Sequence, residues 1–81
     1  MLVTVNFFSF FRYLTGRDQL SVDLTESATL VELMNSLNRR FDSPAFSEQW
    51  TIMVVNHKDV PPETILREGD DVLLFPMLEG G

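Results

Sequence analysis

Thr29-Leu30-Val31-Glu32-Leu33-Met34-Asn35-Ser36-Leu37-Asn38-Arg39-Arg40-Phe41 decides how the rest of the chain must fold. Thr29 followed three residues later by Glu32 fits a capping box, in which each side chain accepts a hydrogen bond from an otherwise unpaired backbone N–H. Leu30, Leu33, Met34, Leu37 and Phe41 then recur at helical spacing and form one apolar stripe, with Asn35, Ser36, Asn38 and Arg39 mostly on the other side. Arg39 and Arg40 complement the dipole at the helix end, and Asp42-Ser43-Pro44 stops it. A helix apolar on one side has to lie against a partner layer.

The flanking segments supply that layer. Leu2 to Phe8 reads as a strand, with Val3, Val5 and Phe7 on one face and Thr4 and Asn6 interrupting the other. Ser9 to Gly16 carries Phe10, Phe11, Tyr13 and Leu14 before a Gly-Arg-Asp turn signal, which predicts a short helical turn or loop that packs aromatics on the end of the sheet. Leu20, Val22 and Leu24 alternate with Gln19, Ser21 and Asp23 in a second strand.

Beyond the helix, Ile52 to Val55 is an apolar run of strand length, and Asn56-His57-Lys58-Asp59 reads as the turn of a hairpin returning through Val60. Pro61 and Pro62 keep that return strand short and at an edge. Thr64 to Leu66 is expected to form a brief helical turn, Glu68-Gly69-Asp70-Asp71 a tight turn, and Val72 to Phe75 the last strand, whose unbroken apolar character suits an interior position. The last strand must return beside the first if both are to be buried. This order describes an α+β fold, a β-grasp with a mixed sheet of about five strands and one main helix on one face, over residues 1–76.

Composition narrows the function. The 81 residues suffice for one core and hardly for two, and with 44% hydrophobic residues, seven of them Phe, the core has ample material. A formal net charge of −6 would repel a phosphate backbone, so nucleic acid is not an expected partner. No apolar run approaches the roughly 20 residues that cross a bilayer, and the start carries no early Lys or Arg, so no membrane association and a cytoplasmic location are expected. The absence of cysteine excludes disulfides, thiol nucleophiles and thiolate metal ligands.

An autonomous enzyme is disfavoured by the same inventory: one His, no glycine-rich phosphate loop and no His pair at metal-ligand spacing, so no metal site is expected. His57 reads as a turn residue without a role. Glu63, Glu68, Asp70 and Asp71 surround a turn glycine and lack the alternating ligands of a calcium loop. Phe7 and Phe8, adjacent on one strand, must point to opposite faces. Phe8 and alternate residues of the last strand are therefore expected to make an apolar patch on the face without a helix, unless the Phe10-Phe11 segment folds over it.

Phe75-Pro76-Met77-Leu78-Glu79-Gly80-Gly81 follows, with residues 77–81 expected as a flexible C-terminal tail. From a Gly-Gly pair alone a frayed end is the simpler account. The functional alternative is that a backbone without side chains enters a narrow tunnel in another protein and presents the Gly81 carboxylate there. A carboxylate is a poor electrophile, so chemistry at that end needs adenylation by an ATP-using enzyme, and replacement of the AMP by sulfur would give a thiocarboxylate.

Two segments resemble the small subunit of molybdopterin synthase, within the wider group of ubiquitin-like sulfur carriers that includes the thiamine-pathway carrier. Phe7-Phe8-Ser9-Phe10-Phe11-Arg12-Tyr13-Leu14-Thr15-Gly16 is similar to the family's Phe-Phe-Ala-x-x-Arg-Glu-Leu-x-Gly signature. Gly69-Asp70-Asp71-Val72, then Phe75-Pro76 and Gly80-Gly81, resemble its Gly-Asp-Glu-Val and Phe-Pro-Pro-Val-x-Gly-Gly pattern. Met77, Tyr13 and Asp59 depart from the family pattern.

The resemblance implies a two-subunit synthase, assembled as a heterotetramer, in which Gly81 as a thiocarboxylate donates sulfur to a pterin precursor held by the large subunit. It implies insertion of Met77, Leu78, Glu79 and Gly80 into that subunit, loading by an E1-like adenylating enzyme that uses ATP, and no permanently bound cofactor. Phe8, Phe75 and Pro76 match family contact residues, and Arg12 matches the signature arginine, whose plainer role is a surface charge or ion pair. A carrier of another pathway, a protein modifier joined to lysines through the same terminus, and a non-covalent adaptor are the competing readings.

Overall fold

The computed structural model describes residues 1–77 and shows one five-stranded sheet with two helices. The elements are β1 (Leu2–Phe7), α1 (Phe10–Thr15), β2 (Gln19–Asp23), α2 (Leu30–Arg40), β3 (Thr51–Val55), β4 (Lys58–Asp59) and β5 (Asp71–Pro76). Their order across the sheet is β2-β1-β5-β3-β4, with β1 and β5 parallel at the centre and the other pairs antiparallel. This is the expected β-grasp. The last strand lies beside the first, Val5 opposite Val72 and Phe7 opposite Leu74.

The capping box forms as the sequence requires: Glu32 N–H donates to Thr29 Oγ1 at 3.2 Å and Thr29 N–H to Glu32 Oε1 at 3.1 Å. Leu30, Leu33, Met34 and Leu37 are buried against Val3, Val5, Phe7, Leu20, Val22, Val72 and Leu74, with Phe41 partly buried at the edge of the same core. Each of these large side chains contributes about 1.5–3 kcal/mol by leaving water.

Four local differences have clear causes. β1 ends at Phe7, one residue early, because Phe8 begins the bend into α1. Thr64 to Leu66 is extended rather than helical: Leu30 N–H donates to Thr64 O at 3.1 Å, Leu66 N–H to Ala28 O at 2.8 Å, and Ile65 bridges Thr29. Pairing with the segment entering α2 satisfies backbone groups that a single helical turn would leave open. β3 alternates despite its apolar run, with Met53 and Val55 buried and Ile52 exposed, since only one face of the sheet is covered. The β3–β4 hairpin turns on Asn56 and His57 alone, both at positive φ, so Lys58 and Asp59 are strand residues.

Asn38 belongs to the core side, not to the polar face of α2. Its Nδ2 donates to Phe46 O at 2.7 Å and its Oδ1 accepts from Phe46 N–H at 2.8 Å. That pair fastens the loop between α2 and β3, and the Phe46 ring, buried, meets Phe11 at 4.5 Å and Phe7 at 5.8 Å between centroids. Phe11 therefore packs into the helix-side core, and the Phe10-Phe11 segment does not cover the opposite face.

Candidate functional site

The sheet face without a helix divides by chemistry. On the β1–β2 half, Gln19 Nε2 donates to Asn6 Oδ1 at 2.9 Å and Asn6 Nδ2 to Asp71 Oδ1 at 2.8 Å, a polar chain across three strands. On the β5–β3 half, Phe75 lies opposite Ile52 and Leu73 opposite Val54, so the alternation that buries Val72, Leu74, Met53 and Val55 sends these four outward. Phe8 completes the patch. Its ring stacks on Phe75 at 4.3 Å between centroids and 14° between planes, while its N–H donates to Leu74 O at 3.3 Å. Contiguous half-exposed apolar surface of this kind marks a docking face.

β5 runs through this patch and carries the chain out at Pro76, which pairs with Thr51. Met77 N–H then donates to Trp50 O at 2.7 Å, which extends the pairing by one residue. Of the residues expected in the tail, Met77 is exposed at this root; Leu78, Glu79, Gly80 and Gly81 lie outside the described residues. Phe8, Phe75 and Pro76 are thus brought together at one end of the sheet. Trp50 and Ile52 join them, and both were missed by sequence reasoning. The signals were present: a lone Trp just before a strand, and an Ile that must alternate with the inward Met53.

Arg12 has a different setting. It lies on α1 with Nε 3.1 Å from Asp18 Oδ1, and both side chains are largely exposed. An exposed pair of this kind contributes at most about 1 kcal/mol. Arg12 lines a shallow hollow with Ser9, Tyr13, Gly16, Arg17 and Asp18, separate from the Phe8–Phe75 patch. Asp59 is exposed on the β4 edge, and His57 is an exposed turn residue. Among the described residues no group of three or more His, Cys, Asp or Glu is placed to hold a metal ion, and no helix is long and apolar enough to cross a membrane.

The profile of the ThiS family matches residues 5–81. The chain belongs to the ThiS family. A solved structure from Pyrococcus furiosus, titled "Putative molybdopterin converting factor, subunit 1", superposes on this ThiS-family chain with a TM-score of 0.83 at 27% identity, covering 96% of this chain and 99% of the other. The Amycolatopsis orientalis BexX/CysO complex gives a TM-score of 0.68 at 26% identity, covering 98% of this chain and 99% of that one. SAMP1 from Haloferax volcanii, at 19% identity, shares the fold with a TM-score of 0.83 over the whole of both chains. No curated protein matches the sequence significantly. This ThiS-family member is a small ubiquitin-like sulfur carrier, and the solved structures similar to it include both a converting-factor subunit and a BexX/CysO complex.

Proposed function

We propose that the chain is the sulfur-donating small subunit of a molybdopterin synthase. The observation that carries this reading is the stacking of Phe8 on Phe75 at 4.3 Å, because it joins the two separated segments that resemble that family at the root of the Gly80-Gly81 terminus. The likeness to the Pyrococcus furiosus converting-factor subunit, 27% identical along nearly the whole length, supports it further.

In this reading the Gly81 carboxylate attacks the α-phosphorus of ATP on an adenylating enzyme of the ubiquitin-activating type, and pyrophosphate leaves. Sulfide-level sulfur delivered there displaces AMP from the carbonyl carbon, which leaves a thiocarboxylate. The open face then docks on the large subunit, and the tail places the nucleophilic sulfur beside the pterin precursor. In this reading the chain leaves the acid, base and metal chemistry of these steps to its partners. Its part is to bring a narrow, reactive end into a site made by its partners.

The test has two arms. Intact-mass measurement after incubation with the adenylating enzyme, ATP and a sulfur source is expected to show one oxygen replaced by sulfur, and the loaded chain mixed with a molybdopterin-synthase large subunit and its precursor is expected to yield the dithiolene product. Loading without product would assign the carrier to another pathway. Gly81 joined to lysines of other proteins, with no thiocarboxylate, would make it a modifier.

A further inference from the structure

The tail root carries a second apolar surface besides the open face. Phe10, Trp50 and Met77 are 52%, 50% and 45% exposed, and with Phe11, Ala45 and Pro76 they line a hollow of about 250 Å³. None of the six is charged, in a chain whose formal net charge is −6. Backbone hydrogen bonding holds the collar in place: Trp50 O accepts from Met77 N–H, and Trp50 N–H donates to Ser47 O at 3.2 Å. The loop bearing Trp50 is pinned in turn by Asn38 through Phe46.

Geometry determines what meets this collar. Four residues separate Met77 from the Gly81 carboxylate, a reach of at most about 14 Å. Any enclosed site that closes on that carboxylate has its mouth within this distance of Met77, and Phe10 and Trp50, which line a hollow with Met77, are among the surfaces nearest to it. Adenylation imposes a further requirement. It forms a mixed anhydride between the Gly81 carbonyl and AMP, and attack of water on that carbonyl carbon would return carboxylate and AMP, consuming ATP for nothing. The channel must therefore exclude water around the tail, which uncharged, half-exposed aromatics do well.

Resting on the sulfur-carrier reading, we propose that Phe10, Trp50 and Met77 form a collar that seals against an apolar channel mouth on the adenylating enzyme. Trp50 is the central contact, since Trp is the side chain that most often concentrates interface energy. The collar borders the Phe8–Phe75 patch at Pro76 and Trp50 and extends the docking surface to the side of Phe10.

The experiment follows ATP consumption and thiocarboxylate formation together, in the full chain with its adenylating enzyme. A Phe10→Ser/Trp50→Gln variant is compared with the parent and with Ile65→Ser, which makes a similar change at an exposed apolar residue bridged to Thr29. Substituting the Trp50 side chain leaves its carbonyl bond to Met77 available. The double variant is expected to lose about tenfold in kcat/KM for adenylation, the factor that corresponds to about 1.4 kcal/mol, and to consume more ATP per thiocarboxylate formed, while Ile65→Ser behaves as the parent. Parent-like rate and coupling in a folded double variant would overturn the collar alone; equal loss in Ile65→Ser would overturn it too. If the parent chain supported no ATP consumption, the carrier reading would fall and the collar with it.

Discussion

Phe8 and Phe75, 67 positions apart, meet ring on ring at 4.3 Å because β1 and β5 run parallel side by side. The contact joins the start of the fold to its exit strand on the face opposite α2. Replacing Phe75 by Ala is expected to cost about 2 kcal/mol of stability, about half from the aromatic pair and about half from the partial burial of the ring. Under the proposed synthase reading it is expected to weaken docking to a molybdopterin-synthase large subunit about tenfold or more, as loss of a central aromatic contact does. Denaturant unfolding and titration calorimetry measure the two effects separately. A loss confined to stability would show that the stack serves only the fold.

Deletion of Gly81 tests the proposed reactive end apart from the fold. Among the described residues the buried core runs from Val3 to Leu74. The shortened chain is expected to unfold at the parent temperature and to bind the adenylating enzyme through the proposed collar, yet to accept no sulfur. Intact-mass measurement beside calorimetry checks this, and loading of the deleted chain would place the chemistry elsewhere.

The parts of the fold written in periodic side chains were legible in the sequence. Val3, Val5 and Phe7, or Leu30, Leu33 and Leu37, declare their buried face by spacing alone, and the Thr29–Glu32 box marks a helix start by local chemistry. Contacts made by backbone groups across distance were not legible. Thr64 to Leu66 carries no pattern that separates one helical turn from an extended segment, and its state is set by Ala28 and Leu30, more than 30 positions away. The same holds for the site. The Phe8 and Phe75 positions follow from alternation, whereas Trp50 enters only because Met77 pairs with its carbonyl.

Asn38→Ala tests a contact of that second kind. It removes two hydrogen bonds and leaves the Phe46 N–H and C=O, at a part-buried position, without these partners. At about 1 kcal/mol net for each bond, the loss is about 2 kcal/mol. In a domain of this size that lowers the thermal midpoint by roughly 10 °C. Hydrogen exchange is expected to rise first in the loop between α2 and β3, ahead of the central strands. Uniform protection across loop and sheet would show that the clamp is energetically idle.

Gly69 gives the cleanest test of backbone strain in the approach to β5. Its φ is +83°, its N–H donates to Leu2 O at 2.8 Å, and a Cβ placed on it meets nothing within 4 Å. Ala there suffers no clash, so its whole penalty is the left-handed conformation, about 1 kcal/mol, or about 4–8 °C in thermal midpoint. Asn tolerates that region better than Ala, so Gly69→Asn is expected to recover part of the loss. Gly16, at φ +71° with equally open space, sits at the other end of β1 and shares no partner with Gly69. The Gly16→Ala and Gly69→Ala penalties are therefore expected to add to within about 0.5 kcal/mol in the double variant. Calorimetric unfolding of the parent and the four variants decides it: a penalty much above this range at Gly69 would mean that the turn also supports the Leu2 pairing, and strong non-additivity would mean that the two ends of β1 respond to one another.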